Sequence, residues 1–257
     1  MKIGAVLNPY GSPLEQVKKC EGMNLDFVEI VADGEKNGTE ALIKRRGDIE
    51  SALDELSLDL YLHLPWNLDI GNPHEKCREG AVETLKNILR VGADLNAEKA
   101  IVHPKSQRHN YWERERIKGN VIRSLQELEK AEKTPGTELI AENVKMFGLD
   151  EFERIFKRTG IDMCLDTGHA YLEGFEEREI TEFVNDHKDR IKHFHLNDNR
   201  GERDEHLPLG YGFIDLGLIL RGLQNMGWNG SLSIELFTES FEYLRISRSK
   251  VGKWLEG

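Results

Sequence analysis

The sequence predicts a single (β/α)8 barrel spanning residues 1–257, and three observations carry that prediction. Short β-rich runs and amphipathic helical runs alternate eight times along the chain, the pattern that makes a parallel sheet covered by helices. The length of 257 residues matches the roughly 250 that a closed barrel needs. Histidines, aspartates and glutamates recur at the C-terminal ends of the expected strands, the edge at which barrel active sites assemble. An open doubly wound sheet is the alternative, but eight units in this length favour closure.

The first strand is expected over 2–7 (KIGAVL), an apolar run ended by Asn8-Pro9. Ser12-Pro13 then opens a helix, serine being suited to cap it and proline to its first turn. The second strand, 25–31 (LDFVEIV), precedes a helix over 38–56, and the third, 58–64 (LDLYLHL), precedes a long helix from Pro73 to about Leu95. The fourth strand, 99–103, is followed by a helix over 110–133; the fifth, 137–142, by one over 149–159; the sixth, 161–166, by one over 176–188. The seventh, 190–196, leads into a polar loop of about seventeen residues and a helix over 214–227. The eighth, 231–236, precedes a final helix to Trp254. With no low-complexity stretch or long linker, no domain boundary is expected.

On this scheme His63 ends strand 3, His103 strand 4, Glu142 strand 5 and Asp166 strand 6, with His169 just beyond it. His195 lies near the end of strand 7, Asp204 and His206 in the following loop, and Glu235 near the end of strand 8. Imidazoles and carboxylates without thiolates suit Zn²⁺, Mn²⁺, Fe²⁺ or Co²⁺. Singly, a loop histidine is a solvated side chain and a strand-end glutamate the partner of a lysine. Together, nine such groups on one edge would bury charge in a narrow mouth, which is costly without a shared partner. The other candidates keep simpler readings. His74, His109 and His187 are expected on the surface, and Cys164 in the barrel core. His193, two residues before His195 and on the same face, is expected one layer deeper, as a core residue or a support for the ligands. Trp66 either stacks on a substrate or walls the pocket. The charged run 176–190 reads as a solvated helix face.

Composition narrows the class. Hydrophobic residues make up 39% and charged residues 32%, ordinary for a soluble globular protein. The net charge of −11 argues against broad binding to nucleic-acid phosphates, which needs lysine and arginine. Cys20, Cys77 and Cys164 form no paired motif, which suits a reducing cytoplasm. The N-terminal apolar run is too short to span a membrane and lacks a signal-peptide layout.

The segments HLP (63–65), VHP (102–104), AEN (141–143), DTGHA (166–170), HFHLND (193–198), RDEHLPLGYGFID (203–215) and SIEL (233–236) resemble the xylose isomerase-like TIM-barrel superfamily over almost the whole chain. That superfamily contains sugar and sugar-phosphate isomerases and epimerases, and the endonuclease IV nucleases that act at abasic sites. The isomerase branch implies one divalent ion (Mn, Co, Mg, Zn or Fe) on Glu142, Asp166, His195 and Glu235. Glu142 and Glu235 would then also be the catalytic acid/base pair at a small sugar or sugar phosphate. His169, with Arg200 or Arg203, would contact substrate oxygens. The endonuclease IV branch implies up to three zinc ions on all nine residues, His63, His103, Glu142, Asp166, His169, His195, Asp204, His206 and Glu235, and abasic DNA as the partner.

Two departures separate this chain from the nuclease pattern. The loop GYGFID ends in Asp215, as in the isomerase-like proteins. The segments NPYGSP and ADGEKNG offer little to insert into DNA, leaving Trp66 as the one candidate wedge. On the sequence, the first expectation is therefore a metal-dependent isomerase or epimerase. A trinuclear zinc phosphodiesterase stands as the alternative, and a non-catalytic sugar-binding or metal-storing barrel as the rival from another class.

Overall fold

The computed structural model describes residues 1–106, 111–132, 136–238 and 240–256. Eight parallel strands close in sequence order into one barrel: β1 (Lys2–Val6), β2 (Phe27–Val31), β3 (Asp59–His63), β4 (Lys99–Val102), β5 (Glu138–Glu142), β6 (Asp162–Asp166), β7 (Ile191–Leu196) and β8 (Ser231–Ile234). The helices are α1 (Pro13–Lys19), α2 (Gly34–Asn37), α3 (Thr39–Lys44), α4 (Arg46–Leu56), α5 (Glu75–Asp94), α6 (Arg114–Glu132), α7 (Leu149–Arg158), α8 (Thr167–Leu172), α9 (Glu177–His187), α10 (Leu216–Asn225) and α11 (Phe241–Glu256). The closed sheet excludes the open, doubly wound alternative.

Two elements differ from expectation. The helix expected over 38–56 is split into α3 and α4, because the backbone of Arg45, at φ −106° and ψ 10°, breaks the run; before it, Gly34 takes φ +77° and Asp33 accepts its N–H, which starts the separate four-residue α2. The short α8 was not foreseen. The Asp166 carboxylate nucleates it by accepting the His169 backbone N–H at 2.5 Å, so the DTGH motif is first of all a helix N-cap.

The strands are buried on both faces, as parallel strands under helices must be. Their outward side chains, among them Val28, Ile30, Leu62, Val102, Leu165, Phe194 and Ile234, join the large core shared with the helices. The inward faces change character along the barrel. Near the N-terminal end Phe27, Tyr61, Ile101, Ile140 and Cys164 form a separate apolar cluster, with Phe27 and Tyr61 stacked at 4.0 Å. One strand period further on, the inward positions are Glu29, His63, His103, Glu142, Asp166, His195 and Ser233. Cys164 is thus barrel core, as expected.

Phe27 fits inside the barrel because β1 faces it with Gly4. A Cβ there would lie 2.5 Å from the Phe27 ring, which is itself locked against Tyr61. Gly4→Ala is expected to destabilise the protein by about 1–3 kcal/mol through overpacking. The check is a lower urea midpoint with an unchanged slope; parental stability would mean that the ring has room to retreat.

Candidate metal centre

All nine rim residues converge on the mouth of the barrel, and they divide into three neighbouring groups, the first two sharing the Glu142 carboxylate. In the first, His63 Nε2 and His103 Nε2 lie 3.2 and 2.9 Å from Glu142 Oε2. In the second, His195 Nδ1 lies 3.3 Å from that same oxygen and 3.4 Å from Glu235 Oε2; Glu142, Asp166, His195 and Glu235 each offer one atom within 4.8 Å of the others. In the third, Asp204 Oδ2 lies 3.3 Å from His169 Nε2 and 3.0 Å from His206 Nε2. Glu142 links the first two groups, and His206 Nδ1, 3.9 Å from Glu235 Oε2, brings the third against the second.

Backbone and side-chain partners aim these groups. His63 Nδ1 donates to the Leu64 carbonyl and His169 Nδ1 to the Asn143 carbonyl, both at 2.9 Å, leaving each Nε2 lone pair facing the site. The amide of Asn143 brackets Asp166, accepting from its N–H at 2.7 Å and donating to its carbonyl at 3.0 Å. Asn197 Nδ2 holds Asp204 Oδ1 at 2.7 Å. The long loop after β7 is gathered around the buried Asp198 carboxylate, which accepts from the backbone N–H groups of Gly210, Gly212 and Ile214. Glycine is required at 212, where a Cβ would meet Asp198 Oδ1 at 2.1 Å. His206 sits at φ +48°, a left-handed conformation that a non-glycine residue keeps only when its surroundings over-determine it.

The donor set fits divalent cations. Among the described residues, the buried side-chain atoms without a hydrogen-bond partner include His103 Nδ1, Glu142 Oε1, Asp166 Oδ2, His195 Nδ1, His206 Nδ1 and Glu235 Oε2. Buried polar atoms are normally satisfied, so the unpartnered carboxylate oxygens of Glu142, Asp166 and Glu235, gathered at the mouth with imidazole nitrogens, mark a place suited to a cation.

The electrostatics agree. Burial pushes the Asp166 carboxyl well up, and the nearby Glu235, Glu142 and Asp204 push it further, against the pull of His169. Burial works the same way on Glu142, but His103 and His195 outweigh it and hold Glu142 well below the usual range. Glu235 is held down at about 2 because His195 and His206 overcome its burial. Burial pushes His103 down to about 4, with Glu142 opposing. Burial also opposes the His206 cation, but Glu235 and Asp204 raise it to about 9.

The other expected site residues are placed as follows. Trp66 lines the cavity at the mouth, about 960 Å³ in volume, and stacks on Phe237 at 6.2 Å; Arg203 lines it too, with Lys105, Arg114 and Lys145. Arg200 is not among the lining residues and pairs with Glu205 at 3.0 Å. His74 is exposed, whereas His187 is half-buried against Phe156 and Phe183; His109 lies outside the described residues. His193 is fully buried beneath His195. Sequence reasoning missed Glu29, which contacts both His193 and His195. Its one signal was a charged residue in the middle of the apolar strand FVEIV.

A closed barrel with this imidazole and carboxylate mouth defines a class, the xylose isomerase-like barrels. The chain belongs to that family, the xylose isomerase-like TIM barrels, whose profile matches residues 17–256. An uncharacterized protein of Methanocaldococcus jannaschii is 28% identical over 224 residues, covering 85% of this chain and 84% of that one. A probable endonuclease 4 of Aquifex aeolicus is 25% identical over 246 residues, covering 83% of each. Among solved structures, a D-tagatose 3-epimerase-like protein superposes with a TM-score of 0.84 at 25% identity, over 100% of this chain and 97% of that one. Endonuclease IV from Thermus thermophilus superposes at 0.76 and 20% identity, over 100% of this chain and 99% of that one. Among the described residues no helix is long and apolar enough to cross a membrane.

These charge pairings make the stability of chelator-treated protein depend on pH. The His206 contribution is complete below its ordinary value of 6.5 and is lost as pH rises through about 9. The Glu235 contribution is complete above 4.5 and is lost as pH falls through about 2. Urea midpoints are therefore expected to fall as pH rises from 6.5 past 9, and His206→Asn to flatten that limb. An identical alkaline limb in the variant would contradict the pairing.

Proposed function

We propose that this protein is a polynuclear metal-dependent phosphoesterase of the endonuclease IV type, cleaving a phosphodiester in the barrel mouth. The observation that carries this reading is the division of the nine rim residues into three groups linked through Glu142 and abutting through Glu235. A single-ion isomerase uses four of them as ligands and His169 for substrate, and leaves His63, His103, Asp204 and His206 with no task.

The residues that would hold the ions are His63, His103 and Glu142; Glu142, Asp166, His195 and Glu235; and His169, Asp204 and His206. Divalent ions in such a setting supply Lewis acidity toward phosphate oxygens and toward an attacking water. The chain contributes position and charge. Glu142 keeps its negative charge in a dry site because His103 and His195 flank it. Trp66 and Phe237 form an apolar wall that orients the group next to the phosphate and excludes water. Lys105, Arg114, Lys145 and Arg203 on the cavity wall, interspersed with Asp150, Glu151, Glu173 and Glu202, offer cationic groups to the phosphate oxygens of the substrate. The similarity to probable endonuclease 4 proteins over more than four-fifths of both chains supports the same reading.

Elemental analysis is expected to find close to three zinc ions per chain. The loaded protein is expected to cut a duplex carrying one abasic analogue, or to hydrolyse bis(p-nitrophenyl) phosphate. His63→Ala and His206→Ala should each lower that rate at least 100-fold. Failure of the zinc-loaded wild type on both substrates would refute the proposal.

The isomerase reading is kept by one observation: Glu142 and Glu235 flank His195 from two sides in a four-ligand group, as a single-ion acid/base pair would. The TM-score of 0.84 to a D-tagatose 3-epimerase-like protein is in keeping with it. It predicts one ion per chain, and exchange of a sugar C–H with deuterated solvent that Glu142→Gln and Glu235→Gln both abolish. Exchange surviving in either variant would remove this reading.

A further inference from the structure

We infer that Glu29 is a positioning residue for the metal centre: a buried carboxylate that holds His195 by Nε2–H and so presents Nδ1 as the ligand atom. The inference rests on the reading that Glu142, Asp166, His195 and Glu235 hold a divalent ion, and it adds a residue that touches neither ion nor substrate.

Glu29 is fully buried at the centre of β2. A carboxylate in that position is costly unless its oxygens are fully occupied, and here they are. Ser233 Oγ donates to Oε2 at 2.8 Å, His193 Nε2 lies 3.2 Å from the same oxygen, and His195 Nε2 lies 3.1 Å from Oε1 and 3.3 Å from Oε2.

The carboxylate oxygens of Glu29 accept and cannot donate, so His193 and His195 both carry hydrogen on Nε2. For His193 the other nitrogen, Nδ1, pairs with Ser231 Oγ at 2.7 Å, which satisfies the ring, and that hydroxyl also reaches the Lys192 carbonyl at 3.4 Å. For His195 the other nitrogen, Nδ1, has no hydrogen-bond partner and lies 3.3 and 3.4 Å from Glu142 and Glu235. The contact therefore sets both the tautomer and the rotation of the His195 ring. Such carboxylate–histidine–metal arrangements change metal affinity by about 10- to 100-fold when broken. Glu29 lies near enough to His63 and His195 to be counted with them as a ligand group, but its oxygens already serve three donors, which makes it a support and not a ligand.

Glu29→Gln keeps the shape and replaces one acceptor oxygen with an NH2 that faces a histidine N–H. The test uses the full-length chain labelled with 15N-histidine, in zinc-loaded and chelator-treated forms. In the wild type the His195 Nε2–H is expected to be shifted far downfield and slow to exchange. In Glu29→Gln that signature should be lost in both forms, and chelator competition should show the weakest zinc step reduced 10- to 100-fold. Ser233→Ala, a smaller change, should shift the same resonance and weaken zinc several-fold, and it keeps the test open if Glu29→Gln does not fold. Unchanged ring signals and zinc affinity within twofold of wild type, in any variant that folds, would overturn the inference. Absence of zinc uptake by the wild type would instead sink the phosphoesterase reading, and the ring signals of the chelator-treated protein would still decide the role of Glu29.

Discussion

The structure turns on the cost of placing the Glu142 carboxylate, 1% exposed, at the end of a barrel strand. An isolated carboxylate there would be prohibitively desolvated. Its Oε2 therefore sits within 2.9–3.3 Å of His63, His103 and His195. Two of these rings are constrained in turn, His63 by a backbone carbonyl and His195 by Glu29. In the absence of ions, protons on histidine balance the carboxylates. Divalent cations would do so with shorter bonds and would give partners to Glu142 Oε1, Asp166 Oδ2 and Glu235 Oε2, which accept no hydrogen bond.

The barrel makes this concentration of charge possible by separating two tasks along the same strands. Outward side chains and the lower inward layer supply apolar burial, with Phe27, Tyr61, Ile101, Ile140 and Cys164 filling the interior. The upper inward layer is freed for chemistry. Glu29, Ser231, Ser233 and His193 lie at the boundary and connect the two by hydrogen bonds. The rim loop is held by a similar device: Asp198, buried and receiving three backbone N–H groups, stands between the barrel and the segment that returns Asp204 and His206 to the mouth. Stability and site geometry therefore share the same buried polar residues.

The two functional readings differ in how much of this machinery they use. Four ligands with two flanking glutamates suffice for proton transfer at a sugar carbon. Nine ligands in three linked groups suit displacement at phosphorus, where charge builds on several oxygens at once. The cationic residues on the cavity wall and the aromatic pair Trp66 and Phe237 then bear on which part of a phosphate ester is held. Within a shared fold, activity belongs to the site and not to the barrel.

The amino-acid order by itself determined the barrel, the strand positions to within a few residues, and the nine rim groups, because strand period and strand ends are local properties that repeat eight times. The family motifs were legible for the same reason, each lying on one strand end or one loop. Only the tertiary structure decided how the nine residues are shared out. The pairing of Glu142 on β5 with His63, His103 and His195 joins residues up to 79 positions apart, and no local pattern encodes which oxygen each ring meets. Glu29 was illegible for a stronger reason. It lies 166 residues from His195, and its role exists only because barrel closure brings β2 and β7 to face each other across the interior, where desolvation compels a buried carboxylate to find donors.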